Sequence, residues 1–149
     1  MVGIVDDYEV NLFVYGTLMR GFSNHQILMD CGADFQSFAQ TLQRYRMISF
    51  GGFPGVVKMS AQHDWPKNIL NQIRLRTLYA PVEGELYKVP YNNCIRSFTD
   101  ILEGHPDFYP RQWVSVYDYA KSQKRPSYMY ILTNTNTYGN LFRHPSIAL

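Results

Sequence analysis

The chain has only two cysteines, Cys31 and Cys94, in 149 residues. They lie far apart in sequence without the spacing of a metal site. Neither has an adjacent histidine or basic residue to activate a thiolate. A disulfide framework is therefore not expected, and a reducing cytosol is the default setting. Charge of one sign is also missing. Fourteen Lys and Arg stand against twelve Asp and Glu, a net +2. No long basic run occurs, so there is no electrostatic footprint for nucleic acid or for a membrane surface. No stretch approaches the roughly 18 consecutive apolar residues of a membrane span. Asp6 and Asp7 interrupt the region where an export signal would be apolar, so export is not expected and a cytoplasmic location follows. The four histidines, His25, His63, His105 and His144, share no ligand spacing and read as surface or loop residues. Repeats and low-complexity segments are absent.

What is present is a globular composition. Hydrophobic residues make up 46% of the chain, enough for a core without metal or disulfide support. The length fits one domain, residues 1–149, with 1–9 and 134–149 expected as loose tails. Twelve Tyr and nine Phe favour strands over a helical bundle.

Val10 to Tyr15 reads as a buried strand ending at Gly16, followed by a turn through Gly21. Ser23 or Asn24 can cap a short helix through Gln26–Met29, which Gly32 stops. Phe35 to Ser49 alternates patchily as one strand or two. Gly51 to Gly55 reads as a loop and Val56–Met59 as a short strand. Ala61–Tyr79 has no clear period: it is a surface excursion or an added strand. Pro81–Val89 alternates well and reads as a central strand. Pro90 opens a helix that carries Cys94, Ile95, Phe98, Ile101 and Leu102 at helical spacing, with Gly104 as its cap. Cys94 sits on the apolar side of that helix and reads as a core residue. Trp113–Tyr117 and Tyr128–Leu132 are further strands around the polar turn Lys121–Pro126. Six or seven strands with two short helices predict an α+β fold around a small barrel-like or strongly bent sheet.

Two constellations carry chemistry. In the first, Tyr15-Gly16-Thr17-Leu18-Met19-Arg20-Gly21, a buried strand ends in a tight turn. Such a turn can direct several backbone N–H groups into one concavity, which suits a carboxylate or phosphate. Gly16 lets a ligand approach the main chain. The spacing is neither that of a Walker loop nor of a dinucleotide fingerprint, and an ordinary strand-to-helix turn fits equally. The second is Asp100 to Arg111. Glu103 ends a helix, where the helix dipole disfavours a carboxylate, and partial burial beside Phe98 and Tyr109 acts the same way. Both raise its pKa toward the range of a general base working near neutrality. A solvated glutamate that merely ends the helix is the alternative. Asp100 reads as solvated. Glu83 and Glu85 share a strand face; one of them can line a cavity, but exposure is the simpler reading.

Read together, these segments resemble one family. Phe13-Val14-Tyr15-Gly16-Thr17-Leu18 with Arg20-Gly21 and Asn24-His25, then Val82-Glu83-Gly84-Glu85-Leu86-Tyr87, then Leu102-Glu103-Gly104 with Pro106, Tyr109 and Arg111, are similar in order and separation to the γ-glutamylcyclotransferase-like (AIG2-like) proteins. The likeness is greatest to the γ-glutamylamine cyclotransferase branch and covers roughly residues 10–132. The resemblance implies a small mixed barrel with flanking helices. It also implies a reaction in which the α-amino group of a γ-glutamyl unit attacks its own γ-carbonyl, giving 5-oxo-L-proline and a free amine, with no metal, cofactor or partner beyond the small-molecule substrate. It implies that Glu103 is the proton shuttle and that Tyr15, Gly16, Thr17 and Leu18 grip the substrate. Tyr109 either lines the pocket or packs in the core. Arg111 supports the loop. The excursion Ala61–Tyr79 and the C-terminal tail have no counterpart in the branch, so the choice of leaving group is not implied, and neither is an oligomeric state.

Overall fold

The computed structural model describes residues 8–16, 18–50, 53–57, 71, 74–91, 94–96, 111–131 and 147–148. β1 (Glu9–Val14) leads into the turn and then α1 (His25–Asp30). β2 (Asp34–Phe50) and β3 (Phe53–Val57) form an antiparallel pair, followed by β4 (Tyr79–Pro90). β5 (Arg111–Asp118) and β6 (Gln123–Tyr130) make a hairpin, and β7 (Ile147–Ala148) adds to β2. The strand order is β3-β2-β4-β1-β6-β5, and β5 also pairs with β2. That last pairing closes five strands, β2, β4, β1, β6 and β5, into a barrel. All these pairings are antiparallel except β1–β6, which is parallel at Leu12 and Tyr128.

Alternation on β1 shows how the barrel is filled. Phe13 joins Ala39, Leu86, Val116 and Met129, one or more residues from each barrel strand, in the interior. Its neighbours Leu12 and Val14 face outward into a second cluster with Leu28, Tyr87, Val89 and Ile95, under α1. Each side chain fully removed from water in these two layers contributes about 1.5–3 kcal/mol. Gly84 on β4 is set by close packing: a Cβ there would meet the Val14 carbonyl oxygen and lie 2.8 Å from the Phe13 ring. Gly32, at φ +90°, ends the α1 connection in a conformation that glycine adopts without strain.

Several expectations change. Phe35–Ser49 belongs to one 17-residue strand, bent by register shifts at Phe35/Ser37 and Gln40/Arg44. These irregularities explain the broken alternation. Phe53–Gly55 are strand rather than loop, paired with Ile48–Phe50. Pro90 ends β4, and residues 91 and 94–96 form a wide π-type helical turn. Glu9 pairs with Pro90, and Ile147–Ala148 pair with Ser49–Phe50, although both lie in segments expected as tails. Asn24 precedes α1 but makes no side-chain capping bond.

The largest correction concerns the cysteines. Cys31 at the end of α1 and Cys94 after β4 form a disulfide, with Cα atoms 4.9 Å apart across 63 residues of sequence. Sequence distance misleads here because Asp34 of β2 pairs with Lys88 of β4. That pairing brings the start of one strand beside the end of the other and superposes the segments that flank them. Both cysteines are buried, so Cys94 is a core residue as expected, but a paired one.

Candidate active site

The turn after β1 is fastened to the barrel residue by residue. The Tyr15 hydroxyl donates to the Tyr130 carbonyl at 2.7 Å and accepts from the Val56 amide at 3.4 Å. One phenol thus joins the ends of β1, β6 and β3, and its ring packs against the interior cluster. At Gly16 the chain turns, with the Met19 amide bonded to the Gly16 carbonyl at 3.0 Å. Leu18 is buried in the outer layer. Its carbonyl is 2.9 Å from Nδ1 of His25. A carbonyl can only accept, so Nδ1 carries the proton and the tautomer is fixed by this contact.

Arg20 ends the turn and is held by Glu85 of β4. The Arg20 amide donates to Glu85 Oε1 at 3.0 Å and its Nε to Oε2 at 3.1 Å. The Tyr87 hydroxyl also donates to Oε1, at 3.0 Å. Burial, then the hydrogen bond to Glu85, pushes the Tyr87 hydroxyl well above the usual tyrosine range, so it stays a donor at all ordinary pH. The Arg20 guanidinium lies 4.0 Å from the centre of the Phe35 ring, a cation–π contact.

Of the residues the sequence singles out, Tyr15, Gly16 and Leu18 come together in this turn. Thr17, Glu103 and Tyr109 lie outside the described residues. Arg111 is described: it donates to the Tyr91 hydroxyl at 2.8 Å and packs over the Tyr128 ring.

Two readings are corrected. Glu83 is exposed, but Glu85, two residues along the same face, is only 6% exposed, because Arg20 and Tyr87 cover it. His25 is half-buried against the turn rather than a bystander, and its ring is tilted against that of Tyr87. Glu85, Arg20, Tyr87 and His25 lie in the motifs the sequence singles out, but their contacts with one another and with the turn were not foreseen. The available signal was a carboxylate inside a well-alternating central strand and a cation directly after the glycine turn.

The structure therefore defines a small closed barrel, with the chain after β1 held by hydrogen bonds at Tyr15, Leu18 and Arg20. The family described as gamma-glutamyl cyclotransferase, AIG2-like, matches residues 12–146, and the chain belongs to it. Among its relatives, the gamma-glutamylaminecyclotransferase of Rattus norvegicus is 33% identical over 106 residues, covering 71% of this chain and 62% of that protein. The gamma-glutamylaminecyclotransferase of Homo sapiens is 32% identical over 110 residues, covering 70% and 60%. The match spans less than two thirds of both mammalian proteins. The crystal structure of an AIG2-like protein from Mus musculus superposes with a TM-score of 0.64 at 22% identity, covering 83% of this chain and 77% of that one. That likeness establishes the shared fold.

Proposed function

We propose that the protein is a cofactor-independent cyclotransferase that converts a γ-glutamyl amine, such as γ-glutamyl-ε-lysine, to 5-oxo-L-proline and the free amine. The observation that carries this reading is the set of hydrogen bonds that hold Tyr15, Leu18 and Arg20 of the turn after β1. Tyr15, the Leu18 carbonyl and the Arg20 amide are each bound to a different part of the fold. The reaction needs a fixed surface more than it needs a reactive group. Nucleophile and electrophile belong to one substrate, and holding them in line is worth about 7–11 kcal/mol in well-oriented cases.

In this reading the main chain from Tyr15 through Gly16 and Thr17 to Leu18 grips the α-carboxylate or the developing oxyanion. Glu103 removes a proton from the substrate ammonium. The freed amine forms a C–N bond to the γ-carbonyl carbon, the bond to the leaving nitrogen breaks as Glu103 returns the proton to that nitrogen, and the ring nitrogen gives up its second proton to the departing amine, leaving a neutral lactam and an ammonium. Tyr109 lines the pocket beside it. The names of the mammalian relatives favour an amine leaving group. Among the described residues no helix is long and apolar enough to cross a membrane. A cytoplasmic setting goes with this reading, where a structural disulfide such as Cys31–Cys94 is unusual.

Incubating the protein with γ-glutamyl-ε-lysine, γ-glutamyl-alanine and glutathione and measuring 5-oxoproline tests the reading. Turnover of the lysine compound above the others is expected. Preference for the amino-acid or thiol-peptide substrate would move the protein to another branch. Binding without turnover of any of the three would make it a ligand-binding module.

A further inference from the structure

Glu85 is a buried carboxylate for which the reaction above has no use. Burying an ionised group is unfavourable unless its lone pairs are satisfied, and a packed apolar residue on a central strand commonly serves stability as well or better. Its three hydrogen bonds show what it is for. Two come from Arg20, the last residue before the positive-φ Gly21, and one of those two is from the backbone amide. A bond to an amide fixes the path of the main chain itself, whichever side chain the residue carries. The third comes from Tyr87, two residues along the same strand face, and holds the carboxylate in one orientation. The Arg20 guanidinium also makes a cation–π contact with the Phe35 ring, 4.0 Å from its centre. The turn is therefore clamped at its far end by β4, as it is clamped at its near end by the Tyr15 hydroxyl on β6 and β3.

We propose that Glu85 is a positioning residue for ring closure: it fixes the main chain at Arg20, the far end of the turn, and through it the geometry in which the γ-glutamyl unit is folded back on itself. Glu85 need not touch the substrate. This rests on the cyclotransferase reading, since the path matters only if the turn grips the substrate. A displacement of about 1 Å in such a grip costs up to about 10²-fold in rate.

The test compares wild type with Glu85→Gln and Glu85→Leu at matched folded fractions, checked by circular dichroism. 5-Oxoproline kinetics and amide hydrogen exchange at Arg20 are both read. Glutamine keeps the shape and one acceptor but loses the charge that roughly doubles the strength of such bonds, so KM should rise about 10-fold and Arg20 protection should fall about 10-fold. Leucine removes every acceptor, so kcat should fall as well, for a combined loss of about 10²-fold in kcat/KM. A residue that only stabilises the fold would shift the melting temperature and leave KM of the folded protein unchanged. That result in Glu85→Gln would overturn the proposal even if Glu85→Leu fails to fold. If wild type forms no 5-oxoproline, the cyclotransferase reading fails by itself. The exchange arm then still decides the clamp: protection of Arg20 equal to wild type in Glu85→Gln refutes it.

Discussion

Asp118 and Glu85 are both buried carboxylates, and each anchors a turn to the barrel. Asp118 starts the β5–β6 hairpin turn and collects four donors: the Ser37 hydroxyl, the amides of Ala120 and Lys121, and the guanidinium of Arg125. Three of the four lie within seven residues, so the arrangement is mostly a local turn locked against β2. Its cation is nearly as protected as the carboxylate, with side-chain exposures of 15% for Arg125 and 1% for Asp118. Glu85 instead reaches 65 residues back to Arg20, whose side chain is 48% exposed. Solvent screens that ion pair, so the amide bond carries the interaction. The difference separates two uses of one device. A local, largely desolvated network serves stability, whereas the long-range bond to a backbone amide is proposed to place the turn after β1.

The sharpest way to break this contrast is to remove the carboxylate from the hairpin. Asp118→Ala leaves Arg125, the Ser37 hydroxyl and two amides without their acceptor, and removing one partner of a buried pair costs about 3–5 kcal/mol. Urea denaturation should show that loss, while kcat/KM per folded molecule stays at the wild-type value. Arg20→Ala should cost under about 1 kcal/mol, since its charge pair is half in water. Equal stability losses at the two sites would erase the distinction.

A somewhat smaller effect is expected at the Cys31–Cys94 crosslink, which ties the end of α1 to the segment that follows β4. Closing a loop of 63 residues constrains the unfolded chain by about 4 kcal/mol in the chain-entropy treatment, as an upper figure. Thermal melts with and without reductant should differ accordingly. Identical melts of fully reduced and untreated protein would show that the pair does not function as a crosslink.

The smallest effect is one of pH. Burial alone would raise the Asp118 carboxyl, but the bonds from Ser37, Lys121, Arg125 and Ala120 outweigh it and hold the pKa below the usual aspartate value. A pKa lower in the folded than in the unfolded state means that the stabilisation is complete above the unfolded value. It drains away as pH falls from there through the folded value. Denaturation midpoints should therefore decline in acid below about pH 4, and Asp118→Asn should flatten that part of the curve. An unchanged slope in the variant would contradict the assignment.

Strands with clean alternation were legible in the sequence. Pro81–Val89 and Val10–Tyr15 emerge as β4 and β1 nearly to the residue, because each has one face in the barrel and one under α1. A barrel-like sheet was legible too, but not which strands close it, since the β2–β5 pairing joins residues about 77 apart and no local pattern encodes that. Bulges hid the unity of β2 in the same way. At the site, the glycine turn stood out because glycine and β-branched residues have strong local meanings. Glu85, Arg20 and His25 did not, because their roles arise from contacts made only after folding. A glutamate in a strand reads as exposed until the partner that buries it is placed. The cysteine pair failed for the same reason: the register that superposes Asp34 and Lys88 is a property of the sheet.

The account turns on a turn that grips and a glutamate that shuttles a proton. Its most direct test is 5-oxoproline formation from γ-glutamyl-ε-lysine by Glu103→Gln, compared with wild type at equal melting temperature. The account predicts loss of turnover by at least about 10²-fold with substrate binding retained, the scale expected for a missing general base. Wild-type turnover in a folded Glu103→Gln protein would contradict it.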